Sequence, residues 1–83
     1  MFYVYILYST SANRYYIGYC SNMEDRLDKH NQGATSSTRP HRPWILAYYE
    51  EFDTKTEAIK RELAIKRKKS RKYIELLIQG GGG

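Results

Sequence analysis

Glu62 is the residue of this chain whose position is hardest to explain by folding alone. The spacing of apolar residues predicts a helix over residues 54–68, and Glu62 lies inside its apolar stripe, which consists of Ala58, Ile59, Leu63 and Ile65. A carboxylate that faces a core costs free energy unless it is paired or binds a metal ion. Two interpretations follow: Glu62 pairs with Lys66 at i+4, or it is a metal ligand.

Tyrosine is over-represented near the start of the chain. Six of the nine tyrosines are Tyr3, Tyr5, Tyr8, Tyr15, Tyr16 and Tyr19. Residues 2–8 and 15–20 are aromatic and β-branched runs separated by a polar, turn-rich segment, a pattern that predicts a β-hairpin. Strand alternation places Tyr3, Tyr5 and Leu7 on one face of the first strand, and Tyr16 and Gly18 share a face of the second. Propensity and core filling account for most of these tyrosines.

Two helix-capping patterns and a further apolar run set the remaining elements. Residues 21–24 (Ser-Asn-Met-Glu) match a capping box with Ser21 as the cap, which predicts a helix over residues 22–31 that ends at Gly33. His30 lies in one arc of this helix with Met23 and Leu27, and Arg26 lies at the edge of that arc. Residues 33–43 have no periodicity and are expected to form a loop. Residues 44–52 resume a strand pattern, and residues 54–57 (Thr-Lys-Thr-Glu) match a second capping box that opens the helix carrying Glu62.

The order of these elements predicts the fold class. A last short helix is indicated by Tyr73, Ile74, Leu77 and Ile78, so the order is β-β-α-β-α-α. We expect an α+β domain in which helices flank a three-stranded, mainly antiparallel sheet. Residues 1–79 are expected to form this single domain, and Gly80 to Gly83 a flexible glycine tail.

The positive charge is concentrated late in the chain. The net charge is +5, and eight of the fourteen Lys and Arg residues fall between Lys60 and Lys72. This asymmetry indicates a polyanionic partner, of which nucleic acid is the commonest. We expect six basic residues to contact phosphates: Arg39, Arg42, Lys66, Arg67, Lys68 and Lys69. A single cysteine excludes an internal disulfide, and no apolar run is long enough to span a bilayer, so a cytoplasmic protein without membrane association is expected.

Several of these residues together resemble the GIY-YIG endonuclease family. The tripeptides Tyr3-Val4-Tyr5 and Tyr16-Ile17-Gly18 lie on the two hairpin strands, with ten residues between Tyr5 and Tyr16. Four further residues follow in the family's order: Arg26, His30 and Asn31 on the first helix, and Glu62 on the second. The resemblance covers residues 2–75 and is strongest to the small stand-alone bacterial branch, in which the domain has no attached DNA-binding module.

The resemblance implies an active site formed by the Tyr5 and Tyr16 phenols, the Arg26 guanidinium and the His30 ring, with Glu62 as the sole protein ligand of one Mg²⁺ or Mn²⁺. These residue types suit phosphodiester hydrolysis, which needs an activated water and stabilisation of negative charge. Arg26 can grip phosphate bidentately. Tyr5 would accept or relay the proton of the water if positive charge lowers its pKa, and His30 is the alternative base.

Two departures from the family pattern are visible. Tyr3 replaces the first glycine of the first motif, and residues 63–79 lack the asparagine that many members carry after the catalytic glutamate.

The resemblance as a whole leads us to expect a divalent-metal-dependent DNA endonuclease of repair or recombination. The protein itself is expected to be a monomer, and its substrate to be branched or single-stranded DNA. A larger repair complex is expected as a further partner. The alternatives are a non-catalytic or weakly catalytic nucleic-acid-binding module with the same fold, and a protein-interaction adaptor.

Overall fold

A three-stranded antiparallel sheet forms the centre of the molecule. In the computed structural model, which describes residues 1–80, the strands are β1 (Phe2–Ser9), β2 (Arg14–Cys20) and β3 (Trp44–Phe52). The strand order is β2-β1-β3, so the first strand is central and both of its partners are edge strands. Tyr5 lies opposite Gly18 on β2 and opposite Tyr49 on β3. The predicted hairpin, third strand and α+β fold class are confirmed.

Three α-helices flank the sheet: α1 (Met23–Asn31), α2 (Lys55–Lys68) and α3 (Arg71–Gly80). Thr54 caps α2 as predicted, since its side chain accepts a hydrogen bond from the Glu57 N–H. The cap of α1 is one residue later than expected, because Asn22, rather than Ser21, accepts from the Asp25 N–H at 3.0 Å. None of the helices within residues 1–80 is long and apolar enough to cross a membrane.

Three other local predictions need correction. A short 3₁₀ helix, Arg39–His41, lies within the segment that was expected to be an irregular loop. Gly80 is the last residue of α3 rather than part of the tail, and the tail residues 81–83 lie outside the described part of the chain. Leu63 is 42% exposed although it was assigned to the apolar stripe of α2. At 3.6 residues per turn it points about 140° away from Ala58, whereas Glu62 is offset by only about 40°.

The sheet separates two apolar clusters, one on each face. On the first face, Tyr5, Leu7, Cys20 and Trp44 are buried and pack against Met23 and Leu27 of α1. On the second face, Val4, Ala58 and Ile65 are buried, and residues of α3 close over them. Strand alternation produces this division, because successive side chains of β1 point to opposite faces.

An ion-pair network joins β3 to both C-terminal helices. Arg61 of α2 donates two hydrogen bonds to the Glu50 carboxylate, at 2.9 and 3.0 Å, and a third to the Tyr73 hydroxyl at 3.3 Å. The Tyr48 hydroxyl also donates to Glu50. Burial alone would raise the pKa of Glu50, but the hydrogen bonds from Arg61 and Tyr48 hold it below its ordinary value. The network therefore stabilises the packing of α2 and α3 against the sheet.

We predict that Glu50→Gln destabilises the fold, because it leaves the Arg61 guanidinium partly buried without its counter-charge. The expected loss is about 2 kcal/mol in the free energy of unfolding, measured by urea denaturation at pH 7. Glu75→Gln is the matched control: it removes the exposed pair with Arg71 and should cost no more than about 0.5 kcal/mol. Equal losses in the two variants would show that the network does not hold these helices.

Candidate active site

The Tyr5 ring lies directly across the backbone of Gly18. A Cβ atom added at Gly18 would come within 2.5 Å of the Tyr5 Oη atom and 2.7 Å of its ring, closer than real contacts allow. The glycine of the Tyr16-Ile17-Gly18 motif is thus required by a close approach across the hairpin. Its absent side chain is what permits the Tyr5 phenol to occupy this place.

A chain of hydrogen bonds leads from Tyr5 into the interior. Tyr5 Oη lies 3.1 Å from His30 Nε2, and His30 Nδ1 lies 2.9 Å from Thr38 Oγ1. The Thr38 hydroxyl has one proton, which it donates to the Thr35 carbonyl at 3.3 Å. With that proton donated, it accepts from the Nδ1–H of His30, and this tautomer leaves Nε2 free to accept the proton of Tyr5; the opposite tautomer, in which Thr38 donates to Nδ1, fits the same distances.

Aromatic packing fixes the position of the His30 ring. The Tyr16 ring lies edge-on to it with centroids 4.9 Å apart, and the Trp44 ring lies against Tyr16 at 6.3 Å. The Asn31 side chain donates to the Trp44 carbonyl at 2.9 Å and accepts from the Trp44 N–H at 2.7 Å. Asn31 thereby ties the end of α1 to the start of β3, the strand that carries the Trp44 ring packed against Tyr16.

Burial dominates the protonation of the two central groups. Tyr5 is 2% exposed and His30 is 1% exposed. Burial, and after it the neighbouring Tyr16 phenol, raises the pKa of Tyr5 well above its ordinary range, although Arg26 opposes the shift. Burial and then the positive charge of Arg26 lower the pKa of His30. At pH 7 the pair is therefore a neutral phenol and a neutral imidazole.

Glu62 lies on the buried side of α2 but is also paired. Its side chain is 12% exposed, and its Oε2 atom accepts from Lys66 Nζ at 2.8 Å, the i+4 pair that the sequence offered as one interpretation. Its charge acts on the Tyr5 phenol, more weakly than Tyr16 or Arg26 do. Within residues 1–80, Oε1 has no hydrogen-bond partner. Both interpretations of Glu62 are therefore compatible with the geometry.

A single carboxylate suits one kind of cation. No group of three or more His, Cys, Asp or Glu residues comes together in the described chain, so a closed protein cage for a metal ion is absent there. Mg²⁺ keeps several waters and takes its remaining oxygens from substrate phosphates, so it can be held by one carboxylate. The donor set around Glu62 therefore fits a hydrated Mg²⁺ or Mn²⁺ and not a closed zinc site.

The six basic residues that were expected to contact phosphates fall into two groups. Arg39 and Arg42 lie in the segment after α1, where they donate to the Gly33 and Arg39 carbonyls, respectively. The other four, Lys66, Arg67, Lys68 and Lys69, lie at the C-terminal end of α2. No contact among the described residues joins the two groups, and only Lys66 pairs with a member of the site.

The structure brings three of the five candidate residues, Tyr5, Tyr16 and His30, into contact on the first face of the sheet. Among the described residues, Arg26 and Glu62 have no hydrogen bond to these three; the charge of Arg26 affects the pKa of both Tyr5 and His30, and that of Glu62 affects the pKa of Tyr5 more weakly. Thr38 was missed because it lies in a segment without periodicity. No local pattern links it to His30.

Comparison with known proteins identifies the family. A family model described as the GIY-YIG catalytic domain matches residues 1–74, and the chain belongs to this family. A UPF0213 protein of Staphylococcus saprophyticus is 40% identical over 79 residues, covering 94% of this chain and 95% of the relative. A UPF0213 protein of Staphylococcus haemolyticus is 42% identical over 77 residues, covering 88% and 93%.

A solved structure supports the same assignment. The solution NMR structure of the UPF0213 protein BH0048 from Bacillus halodurans matches with a TM-score of 0.61 and 34% identity. The match covers 100% of this chain and 88% of that one. The resemblance that the sequence motifs indicated is thus confirmed for both family and fold, and membership supports a nuclease activity.

We predict that His30 makes the fold sensitive to mild acid. Its pKa is lower in the folded state than in the unfolded chain, so the unfolded chain binds more protons as the pH falls through about 6.5. The thermal midpoint should therefore drop between pH 7.5 and 5.5, and His30→Gln should remove much of that drop. His41→Gln is the matched control and should retain it. An unchanged pH dependence in His30→Gln would contradict the buried neutral ring.

Proposed function

We propose that this protein is a divalent-metal-dependent endonuclease that hydrolyses DNA phosphodiester bonds in repair or recombination. The observation that supports this most is the buried Tyr5–His30 hydrogen bond, oriented by Thr38 so that His30 can accept a proton. Hydrolysis needs a proton acceptor at neutral pH, and a neutral imidazole whose unprotonated nitrogen lies against a phenol can serve as one.

The proton of the attacking water passes through Tyr5 to His30. The raised pKa of Tyr5 argues against a standing phenolate, so the phenol gives its own proton to His30 Nε2 as it takes the proton of the water. Burial does not separate the two residues, since Tyr5 is 2% and His30 1% exposed, but both ring nitrogens of His30 already have partners, Tyr5 at Nε2 and Thr38 at Nδ1, and none is left for a water. This assigns the two residues different roles: Tyr5 is the group that meets the water, and His30 is the positioned acceptor behind it.

The partly exposed members of the site bind the phosphate. Tyr16 and Arg26 both retain solvent-accessible surface, so the scissile group and its water approach Tyr5 from their side. Arg26 offers two parallel N–H donors to phosphate oxygens and offsets the negative charge that develops during attack. The Tyr16 hydroxyl lies on the same side of the sheet as Tyr5 and can donate to the same group.

A cation held by Glu62 would polarise the phosphate and stabilise the leaving oxygen. Lys66 holds the carboxylate in place in the absence of such an ion and can turn to a phosphate when one binds. The basic residues at the end of α2, together with Arg39 and Arg42, supply contacts that do not depend on base sequence. Binding should accordingly weaken steeply with salt, which distinguishes this function from that of a protein-interaction adaptor.

We predict that Glu62→Gln abolishes Mg²⁺-dependent cleavage of DNA while the fold is retained. The measurement is single-turnover cleavage of duplex, single-stranded and branched DNA in Mg²⁺ or Mn²⁺, with the thermal midpoint recorded on the same samples. Lys66→Gln is the matched control, because it breaks the same ion pair but keeps the carboxylate. It should weaken DNA binding and still cleave at saturating protein.

The two variants separate the two roles of Glu62. If Glu62 serves only the pair with Lys66, both variants should lose stability together and both should cleave. A folded wild-type protein that binds DNA but cleaves none of the three substrates with either metal would contradict the proposed activity. It would favour the non-catalytic binding module.

A further inference from the structure

A basic cleft lies on the second face of the sheet, under the junction of α2 and α3. Its volume is about 370 Å³, within the range of small-ligand sites. Three isoleucines form its floor: Ile17 of β2, Ile65 of α2 and Ile74 of α3. Four cationic side chains surround them: Arg14, Lys66, Lys69 and Arg71. Among the described residues, none of those that line the cleft is acidic.

Two of the four cations are available to a ligand. Lys66 pairs with Glu62 and Arg71 with Glu75. Within residues 1–80, Arg14 and Lys69 have no ion pair, and both are exposed. An apolar floor with unpaired cations at its rim selects a ligand that has a flat apolar part and at least one anionic group close to it.

We propose that this cleft binds an unpaired nucleotide of a single-stranded nucleic acid, with the base on the isoleucine floor and its flanking phosphates on Arg14 and Lys69. A base that has left the stack presents an apolar face, and a chain of phosphates runs beside it. A duplex presents its phosphates and sugars outward, so its bases cannot reach the floor.

The cleft is continuous with the candidate active site through one residue. Lys66 lines the cleft and also contacts the Glu62 carboxylate at 2.8 Å. β2 is an edge strand, with Tyr16 on the first face of the sheet and Ile17 on the second. A strand whose scissile phosphate lies near Glu62 can therefore pass this edge and place a neighbouring nucleotide in the cleft.

This inference rests on the proposed function only in taking a nucleic acid as the ligand, and it is tested by binding without cleavage. Fluorescence anisotropy in EDTA compares a labelled single-stranded oligodeoxynucleotide, the same strand with abasic residues, and the corresponding duplex. Removing the bases keeps the phosphates, so the abasic strand should bind the wild-type protein at least roughly fivefold more weakly than the intact strand.

Substitutions locate the binding to the cleft. Arg14→Gln should lower affinity for the intact single strand by roughly fivefold to tenfold and reduce its salt slope by about 0.7. It should change duplex binding less. Lys60→Gln is the matched control, since Lys60 is an exposed cation of α2 outside the cleft, and it should change single-strand binding little. Ile74→Phe places a larger side chain on the floor of the cleft and should reduce the difference in affinity between the intact and abasic strands.

The outcomes are distinct from those of the cleavage experiment. Equal binding of intact and abasic strands, or equal effects of Arg14→Gln and Lys60→Gln, overturns the inference. Should Ile74→Phe fail to fold, as its thermal midpoint will show, the Arg14 comparison decides alone because that side chain is exposed. If the protein binds single strands as predicted but does not cleave them, the inferred binding in the cleft stands and the proposed hydrolysis is contradicted.

Discussion

The hydrogen bond between Tyr5 and His30 is the interaction on which the rest of the site depends. It joins the central strand to α1 and exists only because Gly18 leaves room for the phenol to cross β2. Thr38 then fixes the other nitrogen of the ring. Four separate segments of the chain thus meet at one imidazole. The fold needs these segments to pack, and the proposed reaction needs the same segments to position the proton between Tyr5 and His30.

The electrostatics follow from this burial. Removing the two groups from water opposes charge on both, which raises the pKa of Tyr5 and lowers that of His30. A proton that moves along this pair creates no phenolate but makes His30 a cation, a charge that burial and Arg26 oppose. The charged groups Arg26 and Glu62 lie nearer the surface. There it costs less free energy to replace water by a phosphate at Arg26, or the ion pair with Lys66 by a metal ion at Glu62. In the proposed reaction, proton transfer would therefore take place deeper in the protein than charge stabilisation.

The elements could be predicted from sequence because each is specified locally. Tyrosine-rich alternation defines the hairpin, and the Thr54–Glu57 capping box fixes the start of α2. Contacts between distant segments carry no such signal. Thr38 and the Asn31–Trp44 pairing became visible only in the fold. Leu63 was assigned to the core on its apolar character, although its spacing from Ala58 already places it about 140° away around the helix. The roles of the five site residues remain predictions, although the contacts among Tyr5, Tyr16 and His30 are observed.

In the proposed reaction the Tyr5 hydroxyl carries the proton of the attacking water to His30. The most direct test is the single-turnover cleavage rate of Tyr5→Phe in saturating Mg²⁺, compared with the wild-type protein. Phenylalanine keeps the ring over Gly18 and removes only the hydroxyl, so we expect a folded protein whose cleavage is lost. A folded Tyr5→Phe variant that cleaves DNA at the wild-type rate would contradict it.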